Sequence, residues 1–243
     1  MKQAIHSLLH RAGYQLGRFP FHSPSYLRHT SRRLEHLASL GLDVRGMTVL
    51  EVGAGAGDFS HYYLDRGCRV TITDPRESNL RYLRQRYPGE EILSLDLENP
   101  SPLPGGPFDI VHCYGVLYHL GTPADALGFL SCQCRRLLLL ETRVSHGDVP
   151  AANLLAEDSN IPSLSLSGTG CRPSRSWVFG ELASHFEHVY IPRTQPNHSD
   201  FPLDWRRANP DADAVRAIFV ASRRALTNPL FATELLGTQE PQP

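Results

Sequence analysis

Three glycines at alternate positions, Gly53, Gly55 and Gly57, stand between two carboxylates, Glu51 before them and Asp58 after them. Glycine lets the backbone take positive φ and lets a ligand come close to the chain. A polar ligand seated there meets main-chain N–H groups at a helix start. The dinucleotide pattern Gly-x-Gly-x-x-Gly is satisfied at Gly53 and Gly55, but Asp58 holds its last position and the third glycine comes one residue early. Glu51, acidic and just ahead of the loop, suits a ligand with a cationic end better than a pyrophosphate. Asp74 follows the glycines by about twenty residues, where an acidic side chain accepts ribose hydroxyls. Its other reading is a helix cap, since Pro75 comes next.

The surrounding elements are those that would hold such a loop. Residues 48–52 form a short apolar strand and 59–66 the helix after the glycines. Strand 69–73 ends in Asp74, helix 77–87 follows, and strand 91–95 ends in Asp96. After a proline- and glycine-rich loop, strand 108–113 runs into Tyr114-Gly115-Val116-Leu117-Tyr118-His119-Leu120. Helix 124–134, strand 136–142, a helix from Ser174 to Phe186, and strands 188–192 and 215–222 complete the alternation. The crevice between the first and fourth strands is the switch point where such sheets bind ligands.

The pattern Glu-x-Gly-x-Gly-x-Gly resembles motif I of the class I S-adenosylmethionine-dependent methyltransferases, and the likeness covers residues 48–144. It implies a Rossmann-like α/β fold: seven mostly parallel strands, helices on both faces, the last strand antiparallel. It implies S-adenosyl-L-methionine as cofactor, held by Glu51, Gly53, Gly55, Gly57, Asp74, Asp96, Leu97 and Tyr114. Asp96 would bond the adenine amino group and Leu97 pack on the ring; the alternative for Asp96 is a turn residue. Gly115 to Leu120 is similar to a segment of the methyltransferases that finish wobble-uridine oxyacetic acid in tRNA, and to many small-molecule methyltransferases. No Asn/Asp-Pro-Pro-Tyr/Phe segment follows the fourth strand, nor a metal-binding Asp, so nucleobase amino methylation and catechol-type chemistry lose support.

Methyl transfer from a sulfonium is an in-line displacement that needs positioning and, for a hydroxyl, removal of a proton. His119, at the end of the fourth strand, is the first candidate base; a structural or cofactor-packing histidine is its alternative. His198 and His146 are weaker candidates, and Tyr114 and Tyr118 can line the methyl site. Residues 145–172 form a long irregular segment, expected as a substrate lid. Arg172 and Arg175 at the following helix start, with Arg193 and His198 after the sixth strand, would make an anion-binding acceptor site. Solvated arginines on a surface helix are the alternative. No His/Cys group has metal-ligand spacing: His6 and His10 lack a third ligand, and Cys132-Gln133-Cys134 is too tight.

The 243 residues, 41% hydrophobic and 20% charged, suffice for one sizeable core. The five cysteines form no even framework and read as reduced thiols in a cytoplasmic protein. A net charge of −1 creates no field for nucleic acid. Residues 1–46 are expected as a helical segment covering the site; their acid-poor start leaves a transit peptide or membrane-surface helix open. Residues 47–225 would be the methyltransferase domain, with a helix at 31–40 just before it, and 226–243 a frayed C-terminal tail. The expected activity is metal-free O-methylation of a small polar or anionic metabolite or sugar. Its rivals are a tRNA methyltransferase, a non-catalytic S-adenosylmethionine-binding protein and a nicotinamide oxidoreductase, the last opposed by Asp58.

Overall fold

A computed structural model describes residues 20–147, 149–161, 163–207 and 215–243. The amphipathic stretch before Pro20, with His6 and His10, lies outside the described residues. The first helix, α1, spans Pro24–Ser39 and begins seven residues before the expected 31–40. The reason is local: the Ser23 hydroxyl accepts from the Tyr26 N–H, and Pro24 occupies the first turn, where no N–H is missed.

Then come β1 (Thr48–Glu51), α2 (Ser60–Leu64), β2 (Arg69–Asp74), α3 (Glu77–Arg86), β3 (Glu91–Ser94) and β4 (Phe108–Tyr114). A turn of 3-10 helix at Leu117–His119 leads to α4 (Pro123–Cys132) and β5 (Cys134–Arg143). The segment expected to be irregular contains a small antiparallel hairpin, β6 (Leu154–Ala156) with β7 (Thr169–Cys171). The chain ends with α5 (Arg175–His185), β8 (His188–Pro192), β9 (Thr194–Gln195), β10 (Arg216–Ser222), β11 (Phe231–Ala232) and β12 (Glu240–Pro241).

The main sheet has the order β11-β8-β10-β5-β4-β1-β2-β3. From β3 to β5 the pairs are parallel, and β10 runs antiparallel to both of its neighbours. This is the expected seven-stranded sheet with its last strand reversed, extended by the two-residue edge strand β11. The interior strands are buried on both faces and therefore read as continuous apolar runs. Along β5, Leu138 and Leu140 join the core under α4 and α5, while Leu137 and Leu139 join the opposite core under α1, α2 and α3.

Residues 226–243 are not frayed. β11 pairs with β8 and β12 with β9. Gln239 donates to the Pro192 carbonyl and accepts from Gln195 and the Trp205 indole N–H. Isolated turn residues gave no sequence sign of this, because the partners lie on β8, β9 and the loop after them.

One charged cluster sits inside this apolar frame. Glu141 on β5 is fully buried; its Oε1 accepts from Arg216 of β10 at 2.7 Å and its Oε2 from Arg33 of α1 at 2.9 Å. Burial alone would raise the carboxyl pKa, but the charges of Arg216 and Arg33 outweigh it and hold the group below its ordinary value. Because the folded pKa is depressed, the resulting stability is present above the unfolded carboxylate range and is lost as pH falls through the folded value. We therefore expect Glu141→Gln to lower stability at pH 7 by about 3–5 kcal/mol, as when one partner of a buried ion pair is removed. Urea melts across pH should also show a shallower acid loss in the variant than in the wild type.

Candidate functional site

A cavity of about 790 Å³ opens at the carboxyl ends of β1 and β4, at the crossover point of the sheet. Gly53, Gly55, Asp74, Asp96 and Leu97 line one end. The glycine loop is set by its backbone: Gly53 and Gly55 have φ of 63° and 57°. Asp74 fixes its position from the next strand. Its Oδ2 accepts from the Gly55 N–H at 3.0 Å, and its Oδ1 from the Arg76 N–H and the Asn79 side chain. Arg86 ties the outer side of the loop, donating to the Ala56 carbonyl and to Asp58. Asp74 is thus a brace for the loop and for the start of α3 while also forming cavity wall. Asp96 accepts from the Glu98 N–H and lines the cavity beside buried Leu97.

The other end is built from distant parts of the chain. Tyr114 ends β4, Tyr118 and His119 follow it, Arg143 ends β5, and Arg216 starts β10. Across the mouth, α1 contributes Tyr26, Arg28, His29 and Arg33. The Tyr114 hydroxyl is buried with no hydrogen-bond partner. The Tyr118 hydroxyl accepts from Arg216 at 3.0 Å. His119 Nδ1 is 2.6 Å from Glu157 Oε2, a residue of the 145–172 segment. Glu157 also accepts from the Ser165 N–H and pairs with Arg172 at 3.4 Å. Burial lowers the His119 pKa; the Glu157 carboxylate opposes this without reversing it. Arg76 holds the same segment over the cavity by donating to the Ile161 and Leu164 carbonyls.

Several expected site residues lie elsewhere. Glu51 is buried beneath the loop, not in the cavity wall, where the Ser60 hydroxyl donates to it and burial pushes its carboxyl up to about 8. Gly57 faces α3: a Cβ there would stand 2.6 Å from Tyr87 and 2.8 Å from Leu83, so its role is close packing. Arg172 points at Glu157 and the Tyr118 and Cys171 carbonyls. Arg175 stacks on Trp205 at 3.9 Å and donates to the Leu236 carbonyl. Arg193 donates to the Pro229 carbonyl. These three arginines, expected at the anion site, do not line the cavity. His146 is likewise outside the lining, whereas His198 is in it.

The arginines that do line the cavity, Arg28, Arg33, Arg76, Arg143 and Arg216, were missed, as were His29, Asp200 and the partner Glu157. A signal existed: Glu141 and Arg216 are charges attached to apolar strand runs, Leu137 to Leu140 and Ala217 to Ala221. Charges in such positions require partners. His29, His198 and Asp200 bring one donor atom each to within 4.8 Å of one another. Burial and the charges of Arg33 and Arg216 force the His29 pKa far down. The same positive field opposes a divalent cation there, and all three residues line the cavity.

Residues 50–139 match the family model described as "Methyltransferase domain". The chain is 35% identical over 127 residues to the tRNA U34 carboxymethyltransferase of Haemophilus influenzae (strain PittGG). That match covers 49% of this chain and 38% of the relative, so the chain spans well under two thirds of the curated relatives' length. Among solved structures, the N-terminal domain of EvdMO1 with SAH and D-fucose superposes with a TM-score of 0.59 at 21% identity, over 81% of this chain and 83% of that one. The Burkholderia thailandensis 1,6-didemethyltoxoflavin-N1-methyltransferase, with 1,6-didemethyltoxoflavin and S-adenosylhomocysteine bound, gives 0.52 at 21% identity over 91% and 88%. At this identity the two structures establish the shared fold.

The His119–Glu157 contact has a measurable consequence. Glu157 favours the protonated imidazole, so Glu157→Gln should move the His119 midpoint lower still. Imidazole NMR titration of wild type and variant reads this directly; an unchanged midpoint would show that the pair is not formed in solution.

Proposed function

We propose that this chain, which carries a class I S-adenosylmethionine-dependent methyltransferase domain, is a cytoplasmic enzyme that methylates an oxygen of a small polar or anionic acceptor. The observation that carries this reading is the continuity of the cavity, from the Gly53–Gly55 loop and two carboxylates at one end to tyrosine, histidine and arginine at the other. The volume, about 790 Å³, lies within the usual range of small-ligand sites.

The residues present fit S-adenosylmethionine. Asp74 and Asp96 offer carboxylates at the ends of adjacent strands, and Leu97 offers an apolar face. The unpartnered Tyr114 hydroxyl is a buried polar atom in the cavity wall awaiting a ligand partner. When bound, the cofactor supplies an electrophilic methyl on a sulfonium. The chain supplies the rest. Asp74 would accept ribose hydroxyls with the lone pairs left by its loop contacts, since a carboxylate accepts at about four sites. Tyr114 would face the cationic sulfur with its ring. His119 Nδ1 is held by Glu157, which leaves Nε2 as the nitrogen to take the acceptor proton. Residues 145–172 would act as lid over this site, α1 as roof, and His198 and Tyr118 would contact the acceptor. No step requires a metal.

A second reading follows from the 35% identity to the tRNA U34 carboxymethyltransferase: the acceptor would be a tRNA wobble uridine. The net charge of −1 counts against it. A non-catalytic cofactor-binding protein is the remaining alternative.

Isothermal titration should show micromolar-range binding of S-adenosylmethionine or S-adenosylhomocysteine and negligible binding of NAD. Asp74→Ala should weaken that affinity by roughly tenfold or more, since each charge-assisted hydrogen bond contributes about 1.5–3 kcal/mol. Label transfer from methyl-labelled cofactor into a metabolite pool, run beside unmodified tRNA, identifies the acceptor class. Binding without label uptake by either would favour the non-catalytic alternative, and tight NAD binding alone would end the methyltransferase reading.

A further inference from the structure

Strands β5 and β10 are antiparallel, and their register places Arg143 directly opposite Arg216. Like charges facing each other across a ladder destabilise it. Glu141 bonds Arg216 and Arg33, one on each oxygen, and makes no ion pair with Arg143. The next carboxylate, Asp200, lies 3.6 Å from Arg216 Nε and is shared with His29 and His198. Among the described residues, no carboxylate lies within ion-pair distance of Arg143. Its guanidinium stands 5.3 Å from the centre of the Tyr118 ring, and its Nε is buried with no hydrogen-bond partner. The Nε atoms of Arg33 and Arg216 are also buried and unbonded.

All three arginines line the same end of the cavity. Three guanidinium charges against the carboxylates of Glu141 and Asp200 leave one positive charge unmatched, and the contacts identify it as Arg143. Gly115, whose φ is 81°, borders the cluster; a Cβ there would make van der Waals contact with Arg33 Nη1 at 3.4 Å. Arg143 is half-buried, and an unpaired cation held there beside buried, unbonded Nε groups is costly unless a ligand completes them.

We infer that the acceptor carries an oxyanion, a carboxylate or a phosphate, which seats on Arg143 where β5 and β10 meet the cavity. The guanidinium offers a planar fork of donors that matches either group. The assignment of this anion to an acceptor rests on the methyltransferase reading; the oxyanion site itself rests on the geometry alone. It replaces the anion site expected at Arg172 and Arg175 with one formed by strand ends.

The test uses the full chain saturated with S-adenosylhomocysteine, as wild type, Arg143→Gln and Arg143→Lys. Each is titrated with sodium benzoate and sodium phosphate against sodium chloride at equal ionic strength, and the melting temperature and S-adenosylhomocysteine Kd are read. One of the two anions should raise the wild-type melting temperature by several degrees beyond chloride, as expected for a ligand that binds only the folded chain. Which anion does so separates a carboxylate site from a phosphate site. Arg143→Gln should lose that increment, melt no lower than wild type in chloride, and keep its Kd within about twofold. Arg143→Lys should keep part of the increment, since the charge remains without the fork. The inference is overturned by an equal increment in wild type and Arg143→Gln, by no increment with either anion, or by an Arg143→Gln variant melting well below wild type. Displacement of S-adenosylhomocysteine by the anion would also overturn it, because the oxyanion would then occupy the cofactor's own space. If the chain does not bind S-adenosylhomocysteine, the methyltransferase reading fails, and the same titrations on the chain alone still decide the oxyanion site.

Discussion

The buried carboxylate of Glu141 joins three elements that hydrophobic packing alone would leave with unmatched charges. It sits in β5, takes one guanidinium from β10 and one from α1, and has no solvent contact. A carboxylate in that position is unfavourable unless both oxygens are satisfied, and here each oxygen has its own arginine. The pairing anchors α1 to the sheet in a defined orientation, so that Arg28, His29 and Arg33 face the cavity while Leu37 joins the core beneath. The helix that forms the roof of the site is therefore positioned by an ion pair with the centre of the sheet.

This arrangement gives the cavity two electrostatic halves. Asp74, Asp96 and Glu98, with Arg76, border the end that receives the glycine loop, and Arg28, Arg33, Arg143 and Arg216 border the other. A ligand with a cationic centre between a polar nucleoside-like part and an anionic neighbour matches that gradient. Tyr118 stands at the division, with Arg143, Arg172 and Arg216 each within 5.5 Å of its ring centre. Its ring separates the guanidinium groups from one another as much as it lines the site.

Glu157 does for residues 145–172 what Glu141 does for α1. A single carboxylate at the start of the β6–β7 connection gathers His119, Arg172 and the Ser165 N–H. The histidine after β4 and the segment above it are thus fixed relative to each other through one group. Arg76, whose own N–H is held by Asp74, reaches the same segment from the cofactor-loop side. The covering segment is fastened at both ends of the cavity.

Much of the fold and part of the lining of the candidate site were legible in the sequence, and the division has a physical basis. The strand, loop and helix from Thr48 to Leu64, the carboxylates at the ends of β2 and β3, and the alternation of elements follow from local periodicity and turn chemistry. Such signals act over a few residues, so Gly53, Gly55, Asp74, Asp96 and Leu97 were found where the cavity has them. The basic end was decided by tertiary structure. Arg172 and Arg175 carried the local cue of arginines at a helix start, yet a long side chain goes where its best partner lies, and those partners were Glu157 and Trp205. Arg33 and Glu141 are 108 residues apart, and Arg143 meets Arg216 only through the antiparallel register of β5 and β10. Sequence by itself determined the cofactor-side loop because its conformation is encoded by adjacent residues; which charges face the other half of the cavity depends on strand pairing and helix docking, and only the folded chain decided it.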